Sequence, residues 1–340
     1  MLYYKSTTMQ KAKAIVFFLI LLSFINNPLH GKTKNFIIVT ATPGGTYYPV
    51  GVAIGTLITL KCSKPYGITL TAIDSAGSAE NIQMLQNNEA ALATLQSLFG
   101  AMAYQGKGIY KKPIKKILSI TLLWDNVEHF VLLNKYVKTG NISDLKYLKE
   151  KFSIGKRGSG TEISGKTILN AVDIKTKDLN LEYLGYQDSV DAMLDNRVAG
   201  ANIPAGVPAS SISMLFAQLG DKNVSILEFT KKQLDKINSF YPVWKRFYIK
   251  KDVYPRLKND VFTIAQSNFL AIRSDIDVET AYIITKTIFE NLDFLYNIHS
   301  ATKSINLTNS LNNLPVPLHP GAAKYYKEIG IKIPKRLLKY

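Results

Sequence analysis

The sequence predicts an α/β protein built as one bilobed unit. From residue 35 onward, apolar runs of four to seven residues alternate with helix-length stretches. Three of those runs end directly in turns rich in Gly, Ser and Thr. The 340 residues contain no repeat of fixed period and no low-complexity linker, which favours one two-lobed body over separate beads. Alternation of this kind implies βαβ units and a largely parallel sheet covered on both faces.

The N-terminus comes first. Lys5, Lys11 and Lys13 precede an apolar run from Ala14 to Leu22, extended by Phe24 and Ile25, and then Asn26-Asn27-Pro28-Leu29-His30-Gly31. A positive segment, an apolar core and a small residue describe a secretory signal, expected to be cut near Gly31 with Met1 or Met9 as the start. The run falls short of the ~20 residues a spanning helix needs. The mature chain of about 309 residues is expected to be exported and soluble, with residues 1–31 removed.

Phe36-Ile37-Ile38-Val39 reads as a buried strand, then a Gly-Gly turn, then a helix from about Pro49 to Lys61, since proline suits a first helical turn. Ile68–Ile73 is a second strand, leading through Asp74-Ser75-Ala76-Gly77-Ser78 into a helix with Ile82, Met84 and Leu85. Ala90–Leu95 is a third strand, and further strands are predicted at Ile117–Leu123, His129–Leu133, Phe152–Gly155 and Phe269–Arg273.

The three strand-end turns are Pro43–Tyr48, Asp74–Ser78 and Arg157–Thr161. Ligands in open α/β sheets sit at the carboxyl ends of strands, where helix N-termini offer free N–H groups and partial positive charge to a carboxylate or phosphate. In the third turn Ser159 precedes Glu162 by three residues, a capping box opening an amphipathic helix. Three such loops on one chain point to an anion or amino-acid pocket.

Gly160-Thr161-Glu162-Ile163-Ser164-Gly165-Lys166-Thr167 matches a Walker A loop letter for letter. The capping box places Gly165-Lys166-Thr167 inside a helix, and no apolar run ending in aspartate follows it, so a P-loop nucleotide-binding enzyme stays only as an alternative. His30, His129, His299 and His319 have no metal-ligand spacing, and His129 lies in an apolar run as a structural histidine does. Gly-x-Ser-x-Gly is absent. Asp188, Asp191 and Asp195 read as a solvated helix face, and lone Cys62 as a small buried apolar residue. No catalytic residue, metal ligand or cofactor is assigned.

Charge is the remaining compositional signal. Lys+Arg 42 against Asp+Glu 25 gives +17, a balance that raises nucleic acid as a partner. Three lysines leave with the signal, taking it to +14. Only six of the cations are arginine, the usual reader of bases, and no stacking motif accompanies them. The charge reads as a solvated basic surface and not as a nucleic-acid interface.

Taken jointly, the motifs resemble the TAXI-type solute-binding proteins, extracytoplasmic receptors of TRAP transporters. The resemblance is carried by Gly44-Gly45-Thr46-Tyr47-Tyr48-Pro49, Ser75-Ala76-Gly77-Ser78, Gln96-Ser97, Gly158-Ser159-Gly160-Thr161-Glu162, Ala205-Gly206-Val207-Pro208 and Leu314–Ala322, over about residues 36–330. It implies a two-lobed periplasmic-binding-protein-like fold of type II, with lobe 1 from residues 32–125 and 266–340 and lobe 2 from residues 126–265. It also implies a periplasmic location, a small anionic solute such as glutamate or glutamine, and delivery to a TRAP permease subunit, with lobes hinging near Leu123–Val131 and Gln266–Ala271. By the same resemblance Gly45, Thr46, Tyr47, Ser75, Gln96 and Ser97 contribute from one lobe. Ser159, Gly160, Thr161 and Gly206 contribute from the other, with a carboxylate at the helix mouth. Leu98 stands where the family commonly has aspartate, Ala91 where it has an acid, and Lys156-Arg157 where it more often has small residues or proline. Arg157 is either a ligand contact or a solvated rim charge. The lost acids leave open a secreted interaction protein that kept the fold without its ligand.

Overall fold

The computed structural model describes residues 33–339, so the expected signal segment lies outside the described residues. In chain order the elements begin β1 (Lys34–Val39), α1 (Tyr47–Tyr66), β2 (Ile68–Ile73), α2 (Ser78–Gln86), β3 (Leu92–Gln96), α3 (Ser97–Gln105) and β4 (Ile117–Val127). Then follow β5 (Phe130–Leu133), β6 (Phe152–Ser153), α4 (Gly160–Ala171), β7 (Leu181–Glu182), α5 (Tyr186–Leu194), β8 (Gly200–Asn202), α6 (Ser210–Leu219) and β9 (Val224–Ile226). The chain ends with α7 (Lys231–Phe240), β10 (Trp244–Ile249), β11 (Val261–Arg273), α8 (Val278–Phe289), α9 (Leu292–Tyr296) and α10 (Pro320–Glu328). Among the described residues, no helix is long and apolar enough to cross a membrane.

Two sheets divide the strands. The first has the order β10-β11-β3-β1-β2, with β4 along the other edge of β11. The second runs β7-β6-β8-β5-β9. Both are mixed, where the sequence predicts a largely parallel sheet. The βαβ strands are parallel (β1 with β2 and β3, β6 with β7 and β8), whereas β4, β5 and β11 run antiparallel to their neighbours. The reason is topological. β11 returns from the second sheet and runs against β3 and β4, and β5 arrives from the first sheet and runs against β8 and β9.

β11 ties the sheets together. Its first half pairs with β10 and its second half with β3, while β4 follows it along the opposite edge. β4 passes through Glu128 and His129 straight into β5 of the second sheet. In β5, Phe130 and Leu132 pack into the larger hydrophobic cluster and Val131 and Leu133 into the smaller one, as strand alternation requires. That smaller cluster also takes Tyr254, Val261 and Ala265, so the start of β11 packs with the second sheet's core.

The first lobe's α1 is longer than predicted at both ends. It stops at Gly67, whose φ of 64° and N–H bond to the Ser63 carbonyl form a left-handed cap. It seats close on the sheet through Gly51, where a Cβ would come within 2.2 Å of the Thr40 methyl. The remaining strands differ from expectation mainly in length: β4 continues to Val127, β11 begins at Val261, and β6 is cut to Phe152–Ser153. Cys62 is buried, with Sγ 3.2 Å from the Thr287 hydroxyl.

Candidate functional site

The sites offered by the three strand-end loops converge. β1 delivers residues 42–46 to the start of α1, β2 delivers Ala76 and Gly77 to the start of α2, and β6 delivers residues 156–159 to the start of α4. All three line one pocket between the lobes, with a cavity of about 20 Å³. Gln96 at the end of β3, Asn126 near the end of β4, and Tyr186, Pro204 and Ala205 from the second lobe complete the wall.

The first turn of α4 is arranged as a donor site. Ser159 Oγ accepts the Glu162 N–H at 3.0 Å, and the Glu162 carboxylate accepts the Gly158 N–H at 2.6 Å. The Ser159 N–H is spent on the Lys156 carbonyl. The N–H groups of Gly160 and Thr161 have no such partner and sit on the pocket wall, at the positive end of the helix. Asn126 is 2% exposed, and its side-chain nitrogen has no hydrogen-bond partner although the residue faces the pocket. A buried amide donor left unpaired costs about 1–3 kcal/mol, which a bound acceptor recovers.

Hydroxyl directions follow by elimination. Tyr186 has one proton and gives it to the Pro204 carbonyl at 2.8 Å. The Thr161 hydroxyl, 2.8 Å from the same oxygen, must therefore be the donor to Tyr186. Thr161 then offers the pocket its backbone N–H while its hydroxyl proton is engaged. Burial pushes the Tyr186 phenol up, as it does Tyr47, whose hydroxyl donates to Asn268 Oδ1. Both rings stay neutral.

The lobes touch around this pocket. Thr46 Oγ1 donates to the Gly206 carbonyl at 3.0 Å. The Gly44 carbonyl accepts the Ser211 N–H at 3.2 Å and the Ser211 hydroxyl at 2.9 Å. Gly45 permits the approach, because a Cβ there would lie 2.7 Å from the Tyr186 ring.

Of the residues predicted for the site, Gly45, Thr46, Tyr47, Gln96, Ser159, Gly160 and Thr161 lie on this wall. Four lie off it. Ser75 holds its own loop, accepting the Gly77 N–H and hydrogen-bonding to Asn81. Ser97 is buried with an unpartnered hydroxyl. Gly206 is pressed on the Trp124 indole, where a Cβ would meet ring atoms at 2.6 Å, and acts as a latch through its carbonyl. Arg157 stacks on Tyr183 at 3.7 Å and lines a second, outer cavity beside Asp74, Glu80 and Tyr110. Its neighbour Lys156 is the cation that reaches the inner pocket, and it lines both. Lys156, Asn126 and Tyr186 are the residues sequence reasoning missed. Only Lys156 carried a signal, as half of the Lys156-Arg157 pair.

The Walker-like segment lies within α4, not in a loop. Lys166 Nζ binds Glu162 at 2.6 Å, one turn earlier, and the Thr167 hydroxyl donates to the Ile163 carbonyl. Neither is available to cradle a phosphate. His129 Nδ1 donates to the Ile203 carbonyl and Nε2 accepts from the Tyr254 hydroxyl, a fully satisfied structural pair.

Two α/β lobes joined by crossing strands, with a cleft at the strand ends, make this a periplasmic-binding-protein-like fold. Residues 38–330 match the NMT1-like family, and the chain belongs to that family. Among solved structures, a protein from Bordetella bronchiseptica RB50 is similar over 89% of this chain and 90% of its own, at 15% identity and a TM-score of 0.51. The periplasmic aliphatic sulphonate binding protein SsuA from Escherichia coli is similar over 88% and 80%, at 13% identity and 0.46. A TctC solute binding protein from Polaromonas is similar over 83% and 90%, at 11% identity and 0.43. At 15% identity the likeness to the Bordetella protein is one of fold.

Proposed function

We propose that this chain is an exported receptor that encloses a small anionic solute between its lobes and passes it to a membrane permease. The observation that carries the reading is the convergence of three helix N-termini on one interlobe pocket, with the Gly160 and Thr161 N–H groups and the Asn126 amide left unpaired there. An anion supplies the acceptors those donors lack. Contacts from both lobes bias the equilibrium toward closure, so ligand energy becomes lobe movement. The lobes correspond to residues 32–125 with 266–340 and to residues 126–265, and residues 1–31 are the export signal.

The TAXI resemblance adds the finer reading: a periplasmic receptor of a TRAP permease, taking glutamate, glutamine or a related carboxylate. It assigns the chain no catalytic residue and no cofactor. Calorimetric titration of the purified protein against glutamate, glutamine and C4–C5 dicarboxylates tests the proposal. Binding of at least one, weakened in Thr161→Pro, which deletes a wall N–H, supports it. Silence from the whole panel sinks it.

A further inference from the structure

The charge and hydrogen-bonding character of the pocket wall narrow the ligand further, on the condition that the receptor reading holds. Among the residues lining the inner pocket, Lys156 is the one formal charge, and there is no carboxylate. Lys156 forms no ion pair among the described residues; a Cβ on Gly185 would lie 3.5 Å from its Cε and 3.0 Å from Asp188 Oδ2, so an off-wall carboxylate shares its neighbourhood. The side-chain nitrogen of Asn126, buried and unpartnered, is a donor. So are the N–H groups of Gly160 and Thr161. Two groups that could have accepted are already engaged: the Pro204 carbonyl holds the Tyr186 proton, and the Tyr186 oxygen holds that of Thr161. Two acids lie near but off the wall: Asp188, in the first turn of α5, and Glu128, which is fully buried and is kept protonated at neutral pH by that burial. Leu98 is itself wholly buried and adds nothing polar.

An α-amino acid brings an ammonium group as well as a carboxylate. In this pocket the ammonium would be stripped of water beside a lysine and the positive ends of three helices, with no carboxylate on the pocket wall to pair with. A carboxylate with a hydroxyl or keto group at the same carbon satisfies the same donors without that cost. We infer that the inner pocket selects small 2-hydroxy or 2-oxo carboxylates over the matching 2-amino acids, with Lys156 supplying the counter-charge.

Matched pairs read this directly in calorimetry of the intact protein: malate with aspartate, 2-hydroxyglutarate with glutamate, and lactate with alanine. The hydroxy acid is expected to bind at least roughly tenfold tighter in the pair that binds best. Lys156→Met is expected to weaken that hydroxy acid roughly tenfold while its melting temperature without ligand stays at the wild-type value. An amino acid that binds as tightly as its hydroxy partner, or a Lys156→Met protein with unchanged affinity, overturns the inference and leaves the receptor standing. If no member of any pair binds, and the wider dicarboxylate panel is also silent, the receptor reading itself falls and the inference with it.

Discussion

The Thr46 hydroxyl and the Gly206 carbonyl meet across the cleft at 3.0 Å, joining residues 160 positions apart and belonging to opposite lobes. The bond is buried, and Gly206 is fixed from behind by Trp124. Thr46→Val keeps the shape, removes the donor and leaves a buried carbonyl unpaired. It is expected to cost the closed state about 1–2 kcal/mol, a five- to thirtyfold loss of solute affinity. Small-angle scattering without ligand should show a larger radius of gyration than wild type, and equal radii would remove the latch.

Tyr186 is held by Thr161 on one side and Pro204 on the other. Tyr186→Phe leaves both without their partner and is expected to destabilise the protein by about 1–3 kcal/mol. Thermal melting should fall by several degrees. Thr161→Ser, which keeps the hydroxyl, should melt close to wild type, and a Tyr186→Phe protein that melts with it would show the phenol to be idle.

Gly160 stands where the two lobes approach most closely along α2 and α4. A Cβ there would lie 3.0 Å from Ser78 Cβ and 3.2 Å from its backbone nitrogen, both on the opposite lobe. Its own φ is compatible with any residue, so Gly160→Ala leaves each lobe intact. The expected result is an unchanged circular dichroism spectrum with at least tenfold weaker solute binding, measured by calorimetry. Full affinity in the mutant contradicts the close approach.

Glu128 is wholly buried between the lobes, and neither carboxyl oxygen finds a partner. Burial raises the group from its ordinary 4.5 to about 8, partly offset by the nearby Asn202 amide and Trp244 indole N–H, which stop short of hydrogen-bond geometry. Between those values the folded protein holds a proton that the unfolded chain has released, so this residue's contribution falls as pH rises. His129 acts in the opposite sense: burial lowers it from 6.5 to about 4, so over that interval its contribution grows with pH. The two offset each other below about 6.5, which leaves the loss from Glu128 concentrated between about 6.5 and 8. Glu128→Gln should therefore melt progressively higher than wild type as pH rises through that interval. A constant difference across it would sink the assignment.

Lys166 is committed to Glu162 and the Tyr183 hydroxyl on one side of α4. Lys166→Ala is expected to lose no more than about 0.5 kcal/mol of stability, as for an i,i+4 surface pair, and no solute affinity. Millimolar Mg-ATP should leave the melting temperature of wild type and mutant alike unchanged. A lysine-dependent rise would restore the P-loop alternative.

Local features were legible and contacts between lobes were not. Phe36–Val39, the Gly-Gly turn and the Ser159–Glu162 cap are written in neighbouring residues, so periodicity and capping rules reach them. β7 is two residues long and β10 carries Lys245 and Arg246 in its middle, so neither shows an apolar run. The glycine loops were visible, but not which of their side chains are spent on the loop: Ser75 turns inward to Asn81, and Arg157 lies down on Tyr183. Asn126 ends an apolar strand, and Tyr186 opens a helix after Gly185. Both acquire meaning only from residues distant in the chain.

Assembly order is set by β11. Its second half occupies the open edge of β3, and its other edge receives β4, yet it is made after the whole second sheet. A chain emerging N-terminus first can form β1, β2 and β3 early, but it must carry an unsealed edge on β3 until residues 261–273 arrive. Sheets that wait on distant partners fold slowly and expose sticky edges meanwhile. The first lobe is begun first and finished last, and until then its β3 edge stays open.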